Sequence, residues 1–162
     1  MAEEPITTIG INLGTRYVGI AVIIGSELRD WRIRVIKGKE LIDKFQCLTG
    51  ILARLIDSYA PSVVVLKKPH PMKTSPVLNR IQLEAKAFLE QNGVTVQEYT
   101  LNQLKMRLLP DQKSLNKIKL AEFITSQYPI LFEEWKREIG LKRPYRMAMF
   151  EAVALASLQA AD

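Results

Sequence analysis

The chain carries a single cysteine and a single histidine, and this scarcity removes several functional classes at once. A zinc site of the usual kind draws its ligands from several Cys and His side chains, so none can be built here. Cys47 has no internal disulfide partner, and its place within an amphipathic helical pattern marks it as a small buried hydrophobe, not a reactive thiol. Long apolar runs are also missing: the longest, around Val18 to Ile24, is too short to cross a bilayer. The opening MAEEPITT is acidic and lacks the basic-then-apolar pattern of a secretory signal, so a cytoplasmic protein without membrane contact is expected. Internal repeats and low-complexity linkers are absent as well. Among the few aromatics, Trp31, Phe132 and Trp135 read as packing residues and not as base-stacking platforms.

What remains is the composition of an ordinary globular protein. The 162 residues, 48% hydrophobic and 25% charged, suffice for one good core, which favours a single domain over residues 1–162. The formal net charge of +6 and a pI near 9.5 make polyanions plausible partners, because Lys and Arg that neutralise phosphates release counterions. Charge alone does not name a ligand. Where the charges lie decides its meaning.

Hydrophobic periodicity supplies the frame. Ile6 to Asn12 and Tyr17 to Ile24 are rich in β-branched residues around a turn at Gly14, and from Leu28 to Lys37 Trp31, Ile33 and Val35 alternate with Arg32 and Arg34. Those arginines are expected to protect an exposed sheet edge. Leu41, Phe45, Leu48, Leu52, Leu55, Ile56 and Tyr59 recur in steps of three and four, predicting a long helix over Lys39 to Ala60. Ser62 to Leu66 reads as a central strand buried on both faces. Ser75-Pro76 opens a second helix that Asn92-Gly93 closes, and Val94 to Tyr99 gives a fifth strand. Helices follow, at Asn102 to Leu108, Ser114 to Gln127, Phe132 to Glu138 and after Pro144. Right-handed crossovers lay strands 4 and 5 parallel to strand 1, giving an α/β fold with a mixed sheet of order 3-2-1-4-5 flanked by helices. The ligand crevice of such a sheet lies at the carboxyl ends of strands 1 and 4, where Asn12 and Lys67 sit.

IGINLGTRYVGIAVI, PSVVVLKK, VQEYTLNQLK and MAMFEAVALASL, in this order, resemble the RuvC-type Holliday-junction resolvases of the ribonuclease-H-like superfamily. The likeness extends along the whole chain and implies their three-layer fold, although a shared fold does not fix function. It also implies a site: Asp at the place of Asn12, Glu at that of Lys67, and two Asp where Ala148 and Glu151 stand. In that family, four such carboxylates hold two magnesium ions that activate water and stabilise the displaced oxygens. Transferred to this chain, the set reads Asn, Lys, Ala and Glu, and its formal charge changes from minus four to zero. An ammonium about 4 Å from Mg²⁺ would be repelled by about 8 kcal/mol at an effective dielectric of about 20. Glu151, one helical turn beyond Ala148, is instead expected to reach Lys67 in an internal ion pair.

The leading expectation is therefore a nucleic-acid-binding protein, engaging branched DNA or structured RNA, whose cleavage chemistry is lost and which needs no cofactor. Lys68, His70, Lys73, Arg80, Lys105 and Lys113 are the residues expected to hold phosphates, within two basic groups that follow strands 4 and 5 and also include Arg107, Lys117 and Lys119. His70 stands where the family places an aromatic wedge, although Pro69 and Pro71 also make it an ordinary turn residue. The resemblance adds a homodimer to the expected partners. The alternative is an active Mg²⁺- or Mn²⁺-dependent endonuclease with a site rearranged around Glu98 and Glu151. GINLGT further resembles the first phosphate loop of the actin-type ATPases, but the second lobe that such proteins need has no counterpart after strand 5. A purely structural subunit would show a large apolar surface.

Overall fold

The computed structural model of the chain describes residues 4–111, 116–139 and 147–160. The chain begins as a meander of β1 (Thr7–Leu13), β2 (Tyr17–Ile24) and β3 (Glu27–Val35). The first turn is closed by the Gly14 amide donating to the Tyr17 carbonyl at 2.9 Å. Then come α1 (Leu41–Tyr59), β4 (Val63–Lys67), α2 (Pro76–Gln91), β5 (Thr95–Tyr99), α3 (Leu101–Leu108), α4 (Lys117–Gln127), a 3₁₀ turn over Pro129–Leu131, α5 (Phe132–Ile139) and α6 (Met147–Ala160).

The sheet has the order β3-β2-β1-β4-β5, with β1 parallel to β4, β4 parallel to β5, and the meander antiparallel. This is the predicted mixed sheet. Alternation along β1 and β4 divides the core in two. Ile9, Ile11, Val64 and Leu66 pack with Leu48, Leu52, Ile81 and Ala85 of α1 and α2, whereas Val65 joins α6 and the late helices on the other face.

Helix α6 is apolar around nearly its whole circumference, as a helix packed on several sides must be. Two glycines let its backbone lie against the sheet. A Cβ built on Gly10 would stand 2.0 Å from the Ala152 carbonyl oxygen, and one on Gly19 would stand 2.4 Å from that of Ala148. No larger residue fits at either point without moving the helix. Helix α2 starts as its sequence predicts, with the Ser75 hydroxyl accepting from the Leu78 amide at 3.1 Å and Pro76 in the first turn.

Several local expectations need correction. Cys47 is only half-buried: it packs against the α1-side core, and its sulfur accepts from the Lys37 amide at 3.3 Å, which ties the segment after β3 to α1. Arg32 and Arg34 face α1, because they pair in register with Ile20 and Val18 of the α1-side core. They line a groove and do not simply guard an edge. Trp135 does pack, edge-on to Phe150 with ring centroids 6.1 Å apart, but Phe132 is 52% exposed.

Candidate functional site

The crevice forms where β1 and β4 end. Ile11 pairs with Leu66, so extending the parallel register by one residue sets Asn12 beside Lys67. Both side chains point toward α6, on the opposite side from Ile11 and Leu66. Across from them, Glu151 lies one turn along α6 from Ala148, whose carbonyl rests over Gly19, the partner of Asn12 in β2.

Three of the four positions singled out in the sequence meet here. The Lys67 ammonium donates to Glu151 Oε2 at 3.0 Å, and Asn12 Nδ2 donates to the same oxygen. A carboxylate only accepts, so the amide must present its NH₂ to Glu151. An aspartate at position 12 would instead set a second anion against a buried one. The Glu151 side chain is 3% exposed, and a carboxylate so deep persists as an anion only if paired. Ala148, half-buried, contributes backbone packing and no polar group.

Lys117, at the start of α4, brings a second ammonium to 3.6 Å from Glu151 Oε1. Oε1 is otherwise buried without a hydrogen bond. The sequence placed Lys117 in a basic group but gave no sign of this contact, which depends on how α4 packs on α6. Two cations and one anion leave the cluster with a net charge of plus one.

The two magnesium ions that the resemblance implies do not fit these residues. Mg²⁺ demands near-octahedral oxygen coordination from carboxylates and waters. Here the one carboxylate is engaged at Oε2 by two N–H donors and faces an ammonium at Oε1. Among the described residues, no three His, Cys, Asp or Glu side chains gather closely enough to hold a metal.

Glu98, offered in sequence as a second acid for a rearranged site, lies on the other face of the sheet. It pairs in register with Leu66 and accepts from Lys86 at 3.0 Å and Gln82 at 3.2 Å, both on α2. Burial alone would push its carboxyl upward, but hydrogen bonds from Lys86 and Gln82 and the charges of Lys86 and Lys68 outweigh this and hold it below its ordinary value. The alternative constellation of Glu98, Glu151 and Asn12 is therefore not assembled.

The basic residues divide as well. Lys68, His70 and Lys73 stand exposed on the segment between β4 and α2, where the Lys68 amide donates to the Tyr99 carbonyl at 2.7 Å. His70 Nδ1 accepts from the Met72 amide at 3.0 Å, which stabilises the turn and leaves Met72 projecting at 86% exposure. Arg80 is exposed on α2, Lys105 is half-buried on α3, and Lys113 lies outside the described residues.

Comparison with solved structures finds this architecture elsewhere. Thermus thermophilus RuvC, in complex with a Holliday junction substrate, superposes with a TM-score of 0.69 at 15% identity, over 93% of this chain and 90% of that one. The fold is that of RuvC. The yeast mitochondrial Holliday junction resolvase gives a TM-score of 0.71 at 10% identity, covering 94% of this chain and 77% of that one. Fowlpox virus resolvase, solved with Holliday junction DNA, gives 0.60 at 17% identity, covering 95% and 98%. No family model matches the chain, and no curated protein matches it in sequence. Within this RuvC-like fold, the crevice at the ends of β1 and β4 is occupied by an ion-paired cluster of the chain's own side chains.

Proposed function

We propose that the chain is a RuvC-like nucleic-acid-binding protein that holds branched DNA by its phosphates and has lost metal-dependent cleavage. The observation carrying this reading is the conversion of the crevice to a Lys67–Glu151–Lys117 cluster of net positive charge. A tetrad of acids attracts cations and needs metal before it tolerates a phosphodiester. A cluster with excess positive charge attracts the phosphodiester directly.

Lys68, Lys73 and the neighbouring cations then act as phosphate contacts that position the substrate without reading its sequence. Met72 is the apolar side chain on this rim best exposed to enter a branch point, in place of His70, whose Nδ1 is engaged in the turn.

The test is a gel-shift titration of a synthetic four-way junction beside linear duplex of the same length, with and without Mn²⁺. Binding is expected to weaken steeply with salt, with a slope reduced by about 0.9 for each phosphate contact removed, as in Lys68→Gln and Lys73→Gln. All strands of the junction and of the duplex should stay intact. Metal-dependent scission abolished by Glu151→Ala would refute the loss of cleavage, and absence of junction binding at low salt would refute the binding.

A further inference from the structure

A second basic surface lies on the opposite face of the sheet. Between α1 and the edge strand β3 opens a groove of about 730 Å³ whose lining includes Arg32, Arg34, Lys37 and Arg54 and no acidic residue. The register that sets Arg32 and Arg34 against Ile20 and Val18 turns both guanidinium groups toward α1, where Arg54 lies. Arg32 is held by Asp30, which also accepts from the Tyr59 hydroxyl at 2.9 Å. Arg34, Lys37 and Arg54 are exposed, and their side chains have no acidic partner among the described residues. Cations gathered without a counter-charge repel one another, and an anion in the groove relieves that repulsion.

An independent feature points to an occupant. Gly50 lines the groove midway along α1, where glycine weakens a helix relative to alanine. A Cβ built there meets nothing within 4 Å, so no packing inside the chain calls for glycine. Without a side chain at this point, the helix backbone is open to an external group.

We propose that the α1–β3 groove binds a single nucleic-acid strand through its phosphates. Arg32 and Arg34 lie two residues apart on a strand, about 6.8 Å, a spacing of the same order as that of successive phosphates on an extended chain. Guanidinium forks match phosphate oxygens, and a cationic groove follows the backbone of a single strand. The choice of nucleic acid over an acidic peptide rests on the function proposed above; the shape and charge of the groove do not.

Fluorescence anisotropy of the full chain with a labelled oligothymidylate at low salt tests the proposal. Arg34→Gln/Arg54→Gln is expected to weaken binding about tenfold or more and to reduce the salt slope by about 1.4, from about 0.7 per phosphate contact. Gly50→Gln, which fills the groove without changing charge, is expected to weaken binding several-fold while melting no lower than the parent. Both losses should persist in a Lys68→Gln/Lys73→Gln background. Unchanged oligothymidylate affinity in both groove variants overturns the proposal, as does a parent chain that binds no oligothymidylate. A polyglutamate peptide that binds in an Arg34-dependent manner, when the oligonucleotide does not, also overturns it in favour of a protein ligand. Oligothymidylate binding that responds only to Lys68 and Lys73 removes the groove and leaves the crevice reading standing. Junction binding unmoved by Lys68→Gln/Lys73→Gln, with oligothymidylate binding lost in the groove variants, does the reverse.

Discussion

Lys67 on β4 and Glu151 on α6, 84 positions apart in sequence, meet at 3.0 Å in the crevice of a RuvC-like fold. With Asn12 donating to the same oxygen, each residue standing where the resemblance implies an acid on β1 and β4 is instead an N–H donor to the one acid that remains. The substitutions thus form one compensated set. Removing any member leaves a buried charge less satisfied.

Replacing Lys67 by Met should therefore destabilise the chain. Breaking a buried pair from one side costs about 3–5 kcal/mol. Lys67 is 21% exposed and Lys117 and Asn12 still face the carboxylate, so a smaller loss of about 2 kcal/mol is expected, a fall of about 4–8 °C in melting temperature. Adding Glu151→Gln to Lys67→Met should recover part of that loss. Thermal denaturation followed by circular dichroism measures both, and additive losses in the double variant would contradict the pairing.

Returning acids to the site should return affinity for metal. The variant Asn12→Asp/Lys67→Glu/Ala148→Asp, with Glu151 in place, sets four carboxylates around the crevice. It should melt below the parent in EDTA, through like-charge repulsion, and above its own EDTA value with Mn²⁺ added. The parent's melting temperature should not respond to Mn²⁺. Equal responses of parent and variant would show that the acids' absence does not govern metal binding.

The site also depends on how closely α6 lies on the sheet. Gly19→Ala forces the Ala148 carbonyl outward, and overpacking of this kind costs about 1–3 kcal/mol. Because Ala148 and Glu151 share one face of α6, amide exchange at the start of that helix should quicken more than in α1. Gly10→Ala, with its shorter clearance at Ala152, should destabilise more. An alanine tolerated at both positions would mean that α6 docks more loosely than described.

Glu98 gives the chain a pH dependence separate from the crevice. Its folded carboxyl lies below its ordinary value of 4.5, so the unfolded chain takes up this proton at higher pH than the folded one. The interaction with Lys86 and Gln82 is therefore fully present above the ordinary carboxyl range and is lost as pH falls through the folded value. Glu98→Gln should make melting temperature less steep with pH below about pH 4.5 and leave its slope near neutrality unchanged. A parent and variant with parallel profiles down to about pH 3 would rule out this contribution.

Much of the frame was legible in the sequence because it rests on short-range patterns. The 3.6-residue period of α1, the apolar run of β4 and the Ser75-Pro76 start of α2 each lie within one element, and the crossover rule joins the elements into one sheet order. The Lys67–Glu151 pairing was legible through the resemblance, which implies that the end of β4 and one face of the last helix share a site. Strand parity, applied to β5, would also have set Glu98 beside Leu66 and away from Glu151. Lys117 could not be found in this way. Its contact depends on the packing of α4 against α6, which periodicity within α4 does not determine. The groove beside β3 was missed because Arg32 and Arg34 read equally well as edge guards until register turned them toward α1.

Paramagnetic broadening by Mn²⁺ in two-dimensional NMR spectra of the ¹⁵N-labelled chain reports on the Asn12 side-chain amide itself, and so on whether the crevice admits a divalent cation. With Glu151 held by Lys67, Asn12 and Lys117, the resonances of Asn12, Gly19 and Ala148 should show no selective broadening as Mn²⁺ rises into the millimolar range. Saturable broadening confined to those residues would mean that the crevice holds a divalent cation despite the lysines on Glu151.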